Sequence, residues 1–327
     1  MIPLSPSQLG THHVTVFENM VATETNRNYC LATCSGTSAI HLALLALGVG
    51  PNDVVLCPTF TFIATANPIR YIGARIVFYD TESDMHEAIK LYKPKVVIIV
   101  QLYGDCFDYT DTITHCHSMG IPVLEDAAEA LGATYNGKKA GSFGDVAILS
   151  FNLNKIITTG GGGAVVSNDK SLIDRCRFLA TQARDNKDWY EHSITGYNYR
   201  MNVLAATYGI TQLAQLAERI AERRAINGYY RECLPEHVFP VIKGDSTYWL
   251  TTIFCKDPAK VLQILKDNQV EARRMWKPLH TQPVFNNTSV FGGRESKYLF
   301  DHGLCLPSVD ISRRDVAWIC SLIRHEL

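Results

Sequence analysis

Residues 95–101 read K-V-V-I-I-V-Q, and this almost unbroken apolar run does most to decide the fold. A strand that is apolar on both faces is typical of a parallel sheet covered by helices on both sides. Six similar short runs occur between residues 30 and 167, at Cys30–Thr33, Val54–Pro58, Arg75–Tyr79, Pro122–Glu125, Ala147–Phe151 and Ala164–Ser167. Together the seven runs predict a mostly parallel seven-stranded sheet.

Amphipathic stretches of helical length separate most of these runs. They are Thr37–Leu47, Thr61–Ile72, Asp84–Tyr92, Tyr109–Met119 and Asp169–Thr181. Strands and helices that alternate in this way predict an α/β domain with helices on both faces of its sheet. We place this large domain at residues 1–200.

The pattern changes after residue 200. Met201–Leu234 is rich in Ala, Glu, Arg and Leu, which predicts one long helix inside a connecting segment at 201–245. Residues 246–327 predict a smaller α+β C-terminal domain. Its expected elements are a strand at Trp249–Cys255 and helices at Pro258–Asn268 and Arg313–Arg324.

Composition narrows the class of protein. Basic and acidic residues number 31 and 32, so the net charge of −1 argues against nucleic acid as a partner. The apolar runs are too short to span a bilayer, and Met1–Pro6 does not resemble the start of a secretory signal. The ten cysteines form no C-x-x-C pair, which favours reduced thiols and argues against a metal site. We therefore expect a cytoplasmic protein with no membrane partner.

A polar segment follows the first predicted strand, and ligands gather at strand ends in sheets of this kind. Residues 34–41 read C-S-G-T-S-A-I-H and open a helix. Small residues at a helix start leave backbone N–H groups free to bind an anion such as phosphate. An ordinary helix cap is the more common explanation of Ser and Thr in this place.

Two further segments follow strands in the same way. Residues 124–130 read L-E-D-A-A-E-A, and Asp126, followed by small alanines, is a better ligand-facing candidate than Glu125. A solvated loop carboxylate explains the pair equally well. Residues 58–62 read P-T-F-T-F and offer an aromatic ring that can lie on a planar ligand, although phenylalanine at a strand end is more often core.

Residues 150–163 read S-F-N-L-N-K-I-I-T-T-G-G-G-G and contain Lys155. A lysine held away from water loses part of its preference for the charged form, so its amine becomes a nucleophile. The glycines 160–163 allow close approach of backbone to a ligand or strand, a stronger interpretation than a flexible turn. A lysine nucleophile and a carboxylate such as Asp126 are the two protein groups that pyridoxal phosphate chemistry requires. Taken together, the strand-end segments predict a pyridoxal phosphate site.

Seven segments are similar to those of one enzyme family. They are C-S-G-T-S-A-I-H-L-A-L at 34–44, P-T-F-T-F-I-A-T-A-N at 58–67, E-D-A-A-E-A-L-G at 125–132, S-F-N-L-N-K-I-I-T-T-G-G-G-G at 150–163, F-L-A-T-Q-A-R at 178–184, G-Y-N-Y-R-M-N at 196–202 and W-K-P-L-H at 276–280. Through them the chain resembles, over nearly its whole length, the DegT-type aminotransferases. These are pyridoxal phosphate enzymes of fold type I that act on nucleotide-linked keto-sugars.

The resemblance implies roles for individual residues. Lys155 matches the catalytic lysine that bonds to the cofactor and moves the substrate proton, and Asp126 matches the carboxylate partner of the pyridine nitrogen. The implied cofactor-binding residues are Gly36, Thr37, Ser38, Phe62, Asp126, Glu129, Ser150, Lys155 and Asn198. Among these, Phe62 matches the ring that stacks on the cofactor, and Glu129 matches a position beside its hydroxyl. Asn198 matches a residue supplied by the neighbouring subunit, which implies a homodimer with shared active sites.

The resemblance also implies a reaction and a substrate. Trp276, Lys277 and His280 match a segment near the nucleotide-sugar. An amino acid, most often L-glutamate, would give its amino group to C4 of a nucleotide-linked 4-keto-6-deoxy sugar. The S-F-N-x-N-K and W-K-P-x-H segments look most like those of members that use UDP-2-acetamido-2,6-dideoxy-4-hexulose. Such sugars supply lipopolysaccharide or other surface glycans.

The chain departs from its relatives in several places. The resemblance implies that it is shorter around Pro6–Leu9, Glu82–His86, Lys243–Ser246 and Val309–Ser312, and that Gln101 stands where many relatives have histidine. The shortenings leave open a compacted homologue that binds without turnover and acts in regulation. A deoxysugar dehydratase with the same cofactor is a second alternative. Dehydratases of this fold carry histidine in place of the lysine, so Lys155 argues against it.

Overall fold

The computed structural model describes residues 12–327, so the shortening around Pro6–Leu9 and the expectation about the N-terminus lie outside the described residues. The helices are α1 (His12–Glu24), α2 (Gly36–Ala46), α3 (Asn67–Ile72), α4 (Glu82–Tyr92), α5 (Thr110–Ser118), α6 (Lys170–Ala180), α7 (Val203–Leu213), α8 (Leu216–Cys233), α9 (Pro258–Asp267), α10 (Arg294–His302) and α11 (Arg313–Ile323). The strands are β1 (Tyr29–Thr33), β2 (Val54–Pro58), β3 (Arg75–Tyr79), β4 (Val96–Val100), β5 (Val123–Asp126), β6 (Thr134–Tyr135), β7 (Lys138–Lys139), β8 (Val146–Ser150), β9 (Gly163–Ser167), β10 (Thr251–Phe254), β11 (Arg273–Arg274), β12 (Ser289–Phe291) and β13 (Gly303–Leu306).

The large sheet has eight strands in the order β1-β9-β8-β5-β4-β2-β3-β12. Only β9 runs antiparallel to its neighbours, β1 and β8. All seven predicted strands are present, which confirms the mostly parallel α/β architecture. The eighth strand, β12, was not predicted because it has only three residues, and it pairs in parallel with β3 at the sheet edge.

The central strand β4 explains why the sheet is buried on both faces. All five of its residues are buried. Val97 and Ile99 belong to one hydrophobic cluster, and Val96, Ile98 and Val100 belong to another. Successive side chains of a strand point to opposite faces, so each face of the sheet packs against its own layer of helices.

The prediction of one helix at Thr61–Ile72 was wrong. The structure has a short 3₁₀ turn at Ile63–Thr65 and then α3, which begins at Asn67 with Pro68 in its first turn. Proline lacks an N–H donor and disfavours helical backbone in the residue before it, so a helix readily starts there but does not run through it. Residues 61–62 are therefore left free to line the end of the sheet.

The prediction of one helix over Met201–Leu234 was also wrong, since α7 and α8 are separated at residues 214–215. Helix α7 packs on α1, where a Cβ added to Gly209 would lie 2.6 Å from the ring of Phe17. Helix α8 packs against α11 instead. Because α7 and α8 pack against different helices, the chain bends between them. This packing overrides the helical propensity of the sequence.

The C-terminal part forms a three-stranded antiparallel sheet in the order β10-β13-β11. A separate hydrophobic cluster lies between this sheet and α8, α9 and α11. The boundaries at 200 and 245 remain a prediction. Within residues 12–327, none of the helices combines the length and apolar character needed to cross a bilayer.

Candidate active site

A cleft of about 580 Å³ opens at the carboxyl ends of the parallel strands. Its walls come from the ends of β1, β5 and β8 and from β11, which is far away in sequence. Eight of the residues predicted from sequence line it, namely Gly36, Thr37, Phe62, Asp126, Glu129, Ser150, Lys155 and Trp276. The topology thus brings together most of the strand-end segments, as expected for an α/β sheet.

The start of α2 forms one wall of the cleft. Ser35 caps the helix by accepting a hydrogen bond from the Ser38 amide at 3.0 Å. The amides of Gly36 and Thr37 belong to the first turn, where backbone N–H groups have no partner within the helix. Because the helix dipole also favours negative charge there, this end suits a phosphate group.

Glycine at position 163 allows this wall to form. A Cβ added to Gly163 would lie 2.5 Å from the backbone nitrogen of Gly36 and 2.6 Å from the carbonyl oxygen of Ser35. Any side chain there would push the start of α2 away from the sheet. The close approach predicted for residues 160–163 is therefore one between backbone and backbone, and it sets the position of the helix end.

Asp126 is the last residue of β5, and the residue is 4% exposed. Its two oxygens accept hydrogen bonds from the Thr65 hydroxyl at 2.7 Å and from the Ala128 amide at 3.1 Å. Burial raises the pKa of Asp126, while these two donors and the charge of Lys155 oppose the rise. The carboxylate is thus fixed in direction and faces the cleft.

Glu125 precedes Asp126 but points to the opposite face of the sheet. Its carboxylate accepts hydrogen bonds from the amides of Gly141, Phe143 and Gly144 at 2.7, 2.7 and 3.2 Å. Arg27 lies beside it and donates to the carbonyl of Gly141. Glu125 therefore holds the loop at residues 141–144. Because successive side chains of a strand point to opposite faces of the sheet, Asp126 faces the cleft and Glu125 does not.

We expect Glu125→Gln to lower the free energy of unfolding by about 2 kcal/mol, because an amide NH₂ would face backbone N–H donors. Urea unfolding measures this change, with the exposed Glu87→Gln as the control. The rate of the amino transfer expected from the sequence, taken per folded molecule, should stay near that of the unmodified protein. A stable Glu125→Gln protein with a low rate would reverse the roles given to the two acids.

Lys155 lies in the loop after β8, and its side chain is 13% exposed. Its Nζ lies 4.0 Å from Oε1 of Glu129 and 3.8 Å from the centre of the Trp249 ring. Burial lowers the pKa of Lys155, the carboxylates of Glu129 and Asp126 oppose this, and Arg273 lowers the pKa further. The amine is therefore more readily deprotonated than an exposed lysine, as a nucleophile requires.

Aromatic side chains form the wall opposite the sheet. Phe62 is 48% exposed, and the centre of its ring lies 5.1 Å from that of Trp276. Trp276 stacks in turn on Tyr103, with ring centres 6.1 Å apart, and the Tyr103 amide donates to Glu129 at 2.9 Å. A flat ligand entering the cleft would meet Phe62 on this side.

Four predicted residues do not line the cleft of the described chain. Ser38 turns its hydroxyl back to Ser35, and Asn198 is exposed and pairs with Thr181. Lys277 is exposed. His280 bonds the hydroxyl of Thr59 at 2.7 Å and so fastens its own loop to the end of β2. The predicted cofactor or substrate roles of these four residues stay untested.

Several residues of the cleft were not predicted from the sequence. Trp249 was taken as part of a strand, and Arg273 belongs to the two-residue strand β11. Thr65, which holds Asp126, was placed in a helix. Single tryptophans and arginines occur throughout proteins, so the local sequence around Trp249 and Arg273 contains no signal that identifies them as residues of the cleft.

The sequence profile of the DegT/DnrJ/EryC1/StrS aminotransferase family matches residues 7–324. The chain therefore belongs to this family of aminotransferases, and the fold type I architecture is confirmed by a solved structure. That structure is a DegT DnrJ EryC1 StrS aminotransferase from Brucella abortus, with a TM-score of 0.89 and 26% identity, covering 98% of this chain and 90% of the other.

Two relatives are more similar in sequence. A Bacillus subtilis (strain 168) protein that carries the name "Putative pyridoxal phosphate-dependent aminotransferase EpsN" is 43% identical over 324 residues, covering 90% of this chain and 82% of the relative. GDP-perosamine synthase of Escherichia coli O157:H7 is 35% identical over 335 residues, covering 96% and 90%.

Proposed function

We propose that this protein is a pyridoxal phosphate-dependent aminotransferase that moves an amino group from an amino acid to a nucleotide-linked keto-sugar. The observation that carries the proposal is one cleft that holds the buried amine of Lys155, the oriented carboxylate of Asp126 and the free end of α2. Each serves a different part of the same cofactor. Family membership and the name of the Bacillus relative support it.

The residues present fit the cofactor. The amides of Gly36 and Thr37, with the hydroxyl of Ser150 nearby, suit its phosphate. Asp126 suits its ring nitrogen, and Phe62 suits one face of its ring. When bound, the cofactor supplies an electron sink for bond breaking next to the transferred amino group. The protein supplies orientation, charge and exclusion of water.

Lys155 and its neighbours carry the proton transfers. Its lowered pKa makes the amine easier to deprotonate, so that it can release a proton and take it up again, which is what a general base and acid must do. Glu129 lies close enough to stabilise the protonated amine without a tight ion pair, at 4.0 Å. Asp126, held by Thr65, keeps its negative charge directed at the cleft.

We infer that L-glutamate is the donor and that C4 of a nucleotide-linked 4-keto-6-deoxy sugar is the acceptor. The lysine motif at 150–155 and the segment at 276–280 favour UDP-2-acetamido-2,6-dideoxy-4-hexulose. The E. coli relative, named for GDP-perosamine, favours a GDP-linked sugar as the second candidate. We also propose a cytoplasmic homodimer, in which the exposed Asn198 of one subunit reaches the neighbouring cleft.

The experiment that tests this function follows the visible absorbance of the purified protein. A yellow band is expected from the cofactor bound to Lys155, and L-glutamate should bleach it. UDP-, GDP- and dTDP-linked 4-keto-6-deoxy sugars are then added separately, and the amino-sugar product is identified by mass. The sugar that restores the yellow band and gains an amino group is the acceptor.

The other outcomes distinguish the alternatives. A yellow band that glutamate and other amino acids leave unchanged would indicate a homologue without turnover. Loss of a hydroxyl from the sugar, with no nitrogen gained, would indicate a dehydratase. No band at all, with added cofactor, would contradict the proposed function.

A further inference from the structure

Trp249 contacts Lys155 in two ways. It is 1% exposed and lies just before β10. Its indole Nε1 donates a hydrogen bond of 2.7 Å to the carbonyl oxygen of Asn154, the residue before the lysine. The face of the same ring lies 3.8 Å from Nζ of Lys155. One side chain therefore contacts both the backbone that carries the lysine and the amine at its end.

Trp249 is itself held firmly by its surroundings. The buried guanidinium of Arg223 donates to the carbonyl of Trp249 at 3.2 Å and to that of Ser308 at 2.9 Å. Gly104 packs so closely that a Cβ added there would lie 2.4 Å from the backbone nitrogen of Trp249. The backbone of Trp249 is thus held by two separate segments of the chain, which fixes the point from which its indole reaches Lys155.

We propose that Trp249 is a positioning residue for Lys155, which holds the free amine at the cleft and stabilises its protonated form. This inference rests on the role proposed for Lys155 above. While the transferred amino group is on the cofactor, the amine of Lys155 has no covalent bond to it. In that state the amine must keep its position in the cleft while it takes up or releases a proton, and the ring of Trp249 fixes that position.

The charged groups around Nζ define what the ring adds. Glu129 and Asp126 favour the protonated amine, while burial and the guanidinium of Arg273, 6.0 Å from the same ring, disfavour it. An electron-rich aromatic face attracts a cation, most strongly where water is excluded. Withdrawing electron density from the ring should therefore lower the pKa of Lys155.

Fluorinated tryptophans installed at position 249 alone test this effect, because they keep the shape and the N–H donor of the indole. The pKa of Lys155 is measured from the pH dependence of its labelling by acetic anhydride, located by mass spectrometry. The full-length protein is used after glutamate treatment and also free of cofactor. From the unmodified to the most fluorinated ring, we expect the pKa to fall progressively by about one unit. If the pKa of Lys155 does not change with fluorination, the proposal that the ring of Trp249 stabilises the protonated amine is overturned.

Trp249→Phe tests the hydrogen bond, since it keeps a ring but removes the donor to Asn154. We expect backbone amides of residues 152–155 to exchange with deuterium about tenfold faster. Trp318→Phe, at an exposed position on α11, is the matched control and should change neither measurement. Unchanged exchange in Trp249→Phe overturns the positioning of the loop.

Failure of this inference and failure of the proposed function can be told apart. Labelling of the cofactor-free chain needs neither cofactor nor substrate. A fluorine-dependent pKa in a protein that shows no yellow band would keep the role of Trp249 and reject the aminotransferase. If L-glutamate bleaches the yellow band but the pKa of Lys155 does not depend on fluorination, the aminotransferase is kept and the role of Trp249 is rejected.

Discussion

Replacing Lys155 by alanine is expected to lower amino transfer by about 10,000-fold and to remove the yellow band of the bound cofactor. The substitution removes the only lysine amine among the residues that line the described cleft, and with it both the covalent link and the proton carrier. Absorbance of the purified protein with added cofactor checks the first effect. The initial rate of keto-sugar amination checks the second.

Two control variants separate chemistry from charge and folding. Lys155→Arg keeps a cation beside Glu129 and Trp249, but a guanidinium is no nucleophile at these pH values, so it should also lack the band. Lys170→Ala removes an exposed lysine that pairs with Asp174 and should behave as the unmodified protein. A yellow, active Lys155→Ala protein would show that another residue binds the cofactor.

Asp126→Asn is expected to bind the cofactor but to lose turnover by roughly 100- to 10,000-fold. The amide has the same shape; its oxygen can accept from the Ala128 amide while its NH₂ donates to the Thr65 hydroxyl, which can also act as an acceptor, so the cleft should stay intact. A neutral amide, however, cannot hold a proton on the pyridine nitrogen, and the electron sink is weakened. Stopped-flow absorbance after mixing with L-glutamate measures the rate of the first half of the reaction.

The adjacent acid provides the matched control for this prediction. Glu125→Gln changes the same chemical group one residue away, but that side chain bonds the loop at residues 141–144 on the other face of the sheet. It should therefore change stability and leave the glutamate half-reaction nearly as fast as in the unmodified protein. Equal rates for Asp126→Asn and the unmodified protein would remove Asp126 from the mechanism.

Much of the cleft was predictable because its residues follow strands. Asp126 ends β5 and Lys155 follows β8, and the carboxyl ends of parallel strands meet at one edge. The same logic placed Gly36 and Thr37 beside them, at the start of α2. No distances were needed for these predictions, since the sheet order brings together whatever follows each strand.

The C-terminal contribution was not predictable in this way. Trp276 was expected at the cleft and lies there, but His280, four residues later, is turned toward Thr59. Trp249 and Arg273 were not identified, although they flank the amine of Lys155 and lie about a hundred residues away in sequence. Loop conformations and contacts between distant segments depend on packing, which leaves little trace in local sequence.

The sequence by itself determined the layered α/β architecture, because the burial of side chains depends directly on local patterns, namely apolar runs of strand length and amphipathic runs of helix length. It also determined which residues follow the strands. Only the tertiary structure decided the bend between α7 and α8, the eighth strand of the sheet and the indole beneath the lysine. These features depend on how segments far apart in the chain pack against one another. The local sequence of any one segment therefore does not predict them.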